Sequence, residues 1–288
     1  MAKHSFTGGL FAIAALGLSL PLAAQPQIMA HRGGALNWPE NTMHAFMHAE
    51  AAGVHYLEMD LQLTADGQLL VTHDEIVNPR LCDGPLAGKA VRELTLAQTR
   101  TITCGGRARA IYPGSEVRAG LQMPTLEEVF QTFSSNRTIR YFVETKMPKA
   151  GTPGAAIDVG AYTQALERLI AQYGLEQRVV VQSFDWRTLE EMHALNPRVR
   201  TCPLAVPKQR RDYAQALKEL NATCIVLNPD QTTAAEVAAL QAEGVLVFSG
   251  VFDAPADWDA ILDMKMDAVF TNDPQGLGRY LRLRDLRE

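Results

Sequence analysis

Hydrophobic and polar positions along this chain follow two periods, and from residue 124 onward the two take turns. Short runs dense in Val, Ile, Leu and aromatic residues are expected strands, at 139–144, 178–182, 198–204, 224–227, 245–248 and 267–271. Between them, apolar residues recur at helical spacing over 157–173, 186–195, 209–220, 232–242 and 256–263, and a last helix is expected at 274–286. Pro124-Thr125-Leu126-Glu127-Glu128 opens a further helix running to about Phe133, because Thr125 and Glu128 have the spacing of a capping box. Strands that alternate with helices in this way lie parallel, joined by helical crossovers.

Three more strands are expected upstream, at 27–30, 56–61 and 69–72, which makes nine in all. A closed (β/α)8 barrel needs only eight. Thr64-Ala65-Asp66-Gly67 carries an Asp-Gly turn signal, so 56–61 and 69–72 read as a hairpin whose return arm stands outside the barrel wall. That arm would carry His73 back to the level of Asp60. A doubly wound open sheet is the rival fold, but no Gly-rich phosphate loop follows the first strand. Polar residues recur instead at the C-terminal ends of the strands: His31, then Glu58 and Asp60, then Glu144 and Lys146, then Gln182. Barrel enzymes build their sites at that rim, which favours a TIM (β/α)8 barrel.

Residues 76–120 break the alternation. They hold D-G-P-L-A-G, C-G-G-R-A-R and Y-P-G-S-E-V-R-A-G, with no sustained helical period, and are expected to form an inserted, loop-rich cap over the site.

Composition narrows the picture further. At 288 residues and 47% hydrophobic, the chain can bury one large core, and a net charge of −5 argues against a nucleic-acid partner. Lys3 and His4 precede an apolar stretch ending in Leu22-Ala23-Ala24, the outline of a secretory signal over residues 1–24, with one mature domain over 25–288. Gly8, Gly9, Gly17, Ser19 and Pro21 leave its apolar core too short for the competing reading, an uncleaved anchor. Cleavage removes Lys3 and takes the charge from −5 to −6. A periplasmic or secreted location, with no lasting membrane association, is therefore expected. An oxidising compartment permits Cys82–Cys104 to staple the insertion; Cys202 and Cys224 read equally as a bridge or as buried thiols.

The rim residues suggest a chemistry. Alternation places Glu58 and Asp60 on one face, about 6–7 Å apart along the strand, and two carboxylates so close repel unless positive charge lies between them. One hard divalent cation, Ca²⁺ or Mg²⁺, suits such oxygen donors. Glu144 is the expected third ligand, sharing a face with Lys146 at the end of Tyr141-Phe142-Val143. His31 and His73 each end a strand and precede a polar residue, the setting for a general acid and base, whereas His4, His44, His48, His55 and His193 lack it. Arg32, with its planar fork, and Lys146, as a point charge, can hold anionic oxygens, with a salt bridge to Glu40 as the alternative for Arg32. Glu40-Asn41-Thr42 after Pro39 also reads as a helix entry, with Asn41 as a cap, and Asp273-Pro274 as an N-cap followed by a first-turn proline.

H-R-G at 31–33, P-E-N-T at 39–42, E-x-D at 58–60, T-x-D-G at 64–67 and H-D at 73–74 together resemble the glycerophosphodiester phosphodiesterase family. The likeness continues through L-Q-M-P-T-L-E-E-V-F, V-E-T-K, Q-S-F and T-N-D-P, so it covers nearly all of the chain after residue 26. The resemblance implies that Glu144 joins Glu58 and Asp60 at the metal, that Glu40 lies near the site, that the insertion shapes the substrate pocket, and that Gln182 and Phe184 face it. The family's tryptophan in a W-T-V-N-like string is replaced here by Val247-Phe248-Ser249-Gly250, and Phe248 is expected to supply that wall. The implied reaction is metal-dependent hydrolysis of small glycerophosphodiesters to sn-glycerol 3-phosphate and an alcohol. A phospholipase D-like enzyme acting on intact lipids is the alternative. A phosphate-binding protein without turnover would leave an acid, a base and three carboxylates unexplained.

Overall fold

The computed structural model describes residues 26–148, 158–204 and 213–285; the expected leader and the first residues of the helices expected at 157 and 209 lie outside them. Eight parallel strands form the wall: β1 Gln27–Ala30, β2 Tyr56–Leu63, β3 Arg140–Thr145, β4 Val179–Ser183, β5 Arg200–Pro203, β6 Cys224–Leu227, β7 Leu246–Val251 and β8 Ala268–Thr271. Each pairs with the next in chain order, except that β5 and β6 meet through a single bridge, Leu204 to Val226. β8 pairs with β1, setting Thr271 beside Ala30 and closing the ring. The fold is a TIM barrel, as the alternation requires. Among the described residues no helix is long and apolar enough to cross a membrane.

The ninth strand lies where the Asp-Gly turn places it. Leu69–Val71 pairs antiparallel with the end of β2, and Thr72 N donates to the Asp60 carbonyl at 3.0 Å, so His73 returns beside the rim. Side chains divide by parity. Leu57, Met59 and Leu61 of β2 pack outward in the main core against helix residues such as Phe46, Phe130 and Tyr162. Inward-facing Tyr56 joins Met29, Phe142, Phe248 and Phe270 in a separate cluster that fills the barrel. Packed aromatics there leave the polar inward residues of the same strands gathered at the upper end.

The insertion is ordered around a small core of its own, including Val77, Val91, Leu94 and Ile102. Cys82–Asp83 pairs with Thr103–Cys104, and the two cysteines are bridged. Cys202 and Cys224 are free thiols buried inside the barrel. Thr125 and Glu128 form the expected capping box, and Asp273 caps the last helix by accepting from Gly276 N at 2.8 Å.

Candidate active site

β1 ends in a turn over His31–Gly33 that reverses the chain within one residue of the sheet. Arg32 there is left-handed at φ 52°, a conformation the surroundings must hold in place. Its N–H donates to Glu58 Oε2 at 2.7 Å and its carbonyl accepts from Asn41 N at 2.9 Å. Gly33 has φ 82°, and a Cβ there would stand 2.8 Å from the Cβ of Ala45, so H-R-G needs its glycine.

Glu58, Asp60 and Glu144 are all buried, and one oxygen from each lies within 4.8 Å of the other two. β2 and β3 are in register with Asp60 beside Glu144, which brings the acids together. Burial of charge is costly unless offset by partners. Gln182 Nε2 donates to Glu58 Oε1 at 2.9 Å, and Asn41 Nδ2 to Asp60 Oδ2 at 2.8 Å. Lys146 Nζ lies 2.5 Å from Glu144 Oε1 and 3.1 Å from Asp60 Oδ1, while Arg32 Nε lies 3.1 Å from Asp60 Oδ2.

Those cations do not balance the cluster evenly. Burial raises the Glu58 carboxyl well above its ordinary range, and the neighbouring Asp60 and Glu144 add to it. Burial and Asp60 push Glu144 up to about 7. Burial also opposes the charge on Asp60, but Lys146 and Arg32 on either side hold that carboxyl below the usual range. Three close, buried carboxylates, two of them with raised pKa values, fit a hard divalent cation.

Two histidines flank the acids. His31 Nδ1 lies 2.7 Å from Asn272 Oδ1. The Asn272 amide nitrogen donates to Asp253 Oδ2 at 2.8 Å, and Asn272 N and the Thr271 hydroxyl donate to Asp253 Oδ1. With its nitrogen committed, the amide can only accept from the ring, so the network assigns the proton to Nδ1 and leaves the Nε2 lone pair free. Burial, then the charge of Arg32, lowers the His31 pKa to about 3. On the other side, His73 Nδ1 lies 2.7 Å from Asp74 Oδ1, and Asn78 Nδ2 holds Asp74 Oδ2 at 2.8 Å. The bond to His73 holds Asp74 at about 2, so His73 faces a carboxylate where His31 faces an amide.

Arg32 is held from behind by Glu40 at 3.1 Å. Glu40 in turn accepts from Arg109 Nε and Nη2 at 2.5 and 2.6 Å, and Arg109 reaches Asp74 at 3.6 Å. Arg109 comes from the insertion, which thereby reaches Arg32 through Glu40 and the His73–Asp74 pair through Asp74.

A match to the family model described as "Glycerophosphoryl diester phosphodiesterase family" spans residues 31–276. The chain belongs to that family. It is similar to a glycerophosphodiester phosphodiesterase of Bacillus subtilis, at 31% identity over 85% of this chain and 83% of the relative. A glycerophosphodiester phosphodiesterase of Caldanaerobacter subterraneus is 28% identical over 88% of this chain and 97% of its own. In fold, the chain is similar to a phosphodiesterase of Oleispira antarctica solved with the product sn-glycerol-3-phosphate, at 21% identity, TM-score 0.73, and coverage of 89% and 97%.

Most of the residues expected from the sequence lie together around this acid cluster, with three differences. Phe248 does not wall the pocket: it is 1% exposed inside the barrel, with ring centroids 5.8 Å from Tyr56 and 5.4 Å from Phe142. Gly250 takes the inward position above it, where an added Cβ would meet Asn228 Oδ1 at 2.1 Å. Gln182 is buried and its Nε2 donates to Glu58, so it positions a carboxylate. Asn41 is not the helix cap; Thr42 accepts from Ala45 N, and Asn41 holds Asp60 from a left-handed turn at φ 54°. Phe184 is 59% exposed and lines a cavity that His73 also borders. Arg109, Asn272 and Asp253 were not among the expected residues.

Proposed function

We propose that this site hydrolyses glycerophosphodiesters with one divalent ion, Ca²⁺ or Mg²⁺, held by Glu58, Asp60 and Glu144, and with His31 and His73 exchanging the protons. The observation that carries this reading is the unlike anchoring of the two imidazoles, one on Asn272 and one on Asp74, across a cluster of buried acids. Once bound, the ion supplies positive charge against the phosphate as negative charge grows in the transition state.

His31, unprotonated through the neutral range, accepts the proton of the attacking oxygen at Nε2. His73 gives a proton from Nε2 to the oxygen of the departing alcohol as the P–O bond breaks, and Asp74 faces the ring while it is charged. Arg32, oriented by Glu40, and Lys146 take up phosphate oxygens. The product carried by the Oleispira phosphodiesterase supports sn-glycerol 3-phosphate as the product here. The leader-like residues 1–24 and the Cys82–Cys104 bridge support an exported enzyme.

Release of glycerol 3-phosphate from glycerophosphodiesters tests this reading. Chelation is expected to abolish release and Ca²⁺ or Mg²⁺ to restore it; full activity in chelator rejects the role of the ion.

A further inference from the structure

The barrel has a second mouth, at the N-terminal ends of its strands and opposite the acid cluster. A cavity of about 1250 Å³ opens there and reaches Gln27, Tyr56, Arg140, Arg200, Asn221 and Lys265. Gln27, Arg140 and Arg200 open β1, β3 and β5, and they share parity with Met29, Phe142 and Cys202, which fill the barrel. By that alternation they form the lowest inward layer of the interior. The Arg140 guanidinium carbon lies 5.4 Å from the centre of the Tyr56 ring, and its Nη1 donates to Gln27 Oε1 at 2.9 Å. Burial raises the Tyr56 phenol, and Arg140 and Arg200 both act against that rise, so the two cations stand about one hydroxyl.

Five cations (Arg140, Arg198, Arg200, Lys265 and Arg284) and two carboxylates (Glu176 and Asp267) line this cavity. Arg198 is paired with Glu176 at 2.5 Å, and Arg284 with Asp259 and Asp263. With both sets of pairs removed, Arg140, Arg200 and Lys265 remain against Asp267 alone, and Asp267 Oδ2 accepts from Val247 N at 2.7 Å and from Gln241 Nε2 at 3.1 Å. Among the described residues none of the three cations has an ion-pair partner. Arg178, just before β4, shows the structural use of such a residue, donating to the carbonyls of Ile139 and Asn136. Arg140 instead spends only Nη1, on the neutral oxygens of Gln27 and Tyr56, and Arg200 makes no side-chain hydrogen bond to a described residue. Like charges gathered at one mouth repel, which a purely stabilising role does not call for. The surplus, three positive charges against one negative, matches a dianion, and guanidinium forks fit the oxygens of a phosphate.

We propose that this lower mouth of the barrel binds a phosphate dianion, free or as the monoester of a small polar molecule, held by Arg140 and Arg200 with Lys265 at the rim. Arg140 and Arg200 stand two strands apart, roughly 10 Å between backbones, so their long side chains close on one guest from two sides. Tyr56 and Asn221 add a hydroxyl and an amide, and the cavity leaves room for the body of an ester. This site is separate from the acid cluster and does not depend on the hydrolytic reading.

Calorimetric titration with inorganic phosphate and with glucose 6-phosphate tests it in wild type, Arg140→Gln, Arg200→Gln and Arg32→Ala. Wild type is expected to bind at this mouth, with affinity about tenfold weaker in Arg140→Gln and in Arg200→Gln, the size of one lost charge-assisted contact. Binding should persist in Arg32→Ala, whose lost arginine belongs to the acid cluster. Arg200 is exposed, so its replacement leaves the core intact and decides the matter even if Arg140→Gln, which loses its contact with Tyr56, fails to fold. In phosphate-free buffer Arg200→Gln should keep the wild-type kcat/KM for glycerophosphodiesters. Equal affinity for the two anions supports free phosphate as the guest, and tighter binding of glucose 6-phosphate supports a monoester. No binding to wild type, an affinity unmoved in Arg200→Gln, or binding lost in Arg32→Ala alone overturns the proposal.

Discussion

His31 Nδ1 and Asn272 Oδ1 stand 2.7 Å apart, and Asp253 determines which end of the amide meets the ring. The relay Asp253–Asn272–His31 exists because β8 pairs with β1, so that Thr271 lies beside Ala30 and the residues following each strand meet at the rim. Asn272→Ala is expected to lower kcat by about 10²-fold with a smaller change in KM, because the ring loses its tautomer and its direction. Asn272→Asp places a negative charge against the same nitrogen and raises the His31 pKa from its value of about 3. As His31 must be unprotonated to act as a base, the acid limb of the kcat/KM profile should move to higher pH. An unmoved limb in that variant contradicts the relay.

Burial and like charge raise Glu58 above its usual range, and burial and Asp60 take Glu144 to about 7, so a cation at this cluster competes with protons. Divalent-ion affinity is therefore expected to rise with pH through about 7, with protons released on binding, which calorimetry in two buffers of different ionisation enthalpy measures. In metal-free protein the sign for stability is the reverse. The folded pKa of Glu144 lies above the ordinary carboxylate range, so the native state binds more protons than the unfolded chain up to about 7, and stability falls as pH rises across that window. Added ion should accordingly raise the melting temperature more at about pH 8 than at about pH 5.

Arg109 grips Glu40 with two hydrogen bonds, and Glu40 orients Arg32. Arg109→Ala should leave the melting temperature within a few degrees of wild type, since the residue is in the insertion and outside the main core. It should raise KM and lower kcat together, by about tenfold in kcat/KM, as Arg32 loses its fixed direction. Arg109→Lys, a point charge without the fork, is expected to recover only part of the loss.

The acids, the two histidines and the barrel could be read in the sequence because each is local. Strand parity puts Glu58 with Asp60 and Glu144 with Lys146, and the Asp-Gly turn returns His73 within one hairpin. Asn272 could not be read in this way: its partner is 241 residues away and meets it only through barrel closure. Arg109 lies in a Gly- and Pro-rich stretch whose path no period predicts. Phe248 was misplaced because parity gives the side of the strand but not its depth. Its register with Val226 of β6 sets it among the interior aromatics, and Gly250 takes the place at the rim. Asn41 sat in a plausible capping string, and only its left-handed turn aims the amide at Asp60.

The Cys82–Cys104 bridge closes a loop with a sequence separation of 22, which the chain-entropy model makes worth about 3 kcal/mol against the unfolded insertion. Reduction should loosen the insertion, and with it the hold of Arg109 on Glu40. A rise in KM on reduction, mirrored by Cys82→Ala/Cys104→Ala, is the expected result, with the buried Cys202 and Cys224 unaffected.

Ion binding and turnover measured side by side in wild type, His31→Ala and His73→Ala separate the acid cluster from the histidines. Both variants are expected to bind Ca²⁺ or Mg²⁺ as wild type does, while release of glycerol 3-phosphate falls by about 10²-fold or more. Turnover at the wild-type rate in both variants would contradict the assignment of the proton transfers to His31 and His73.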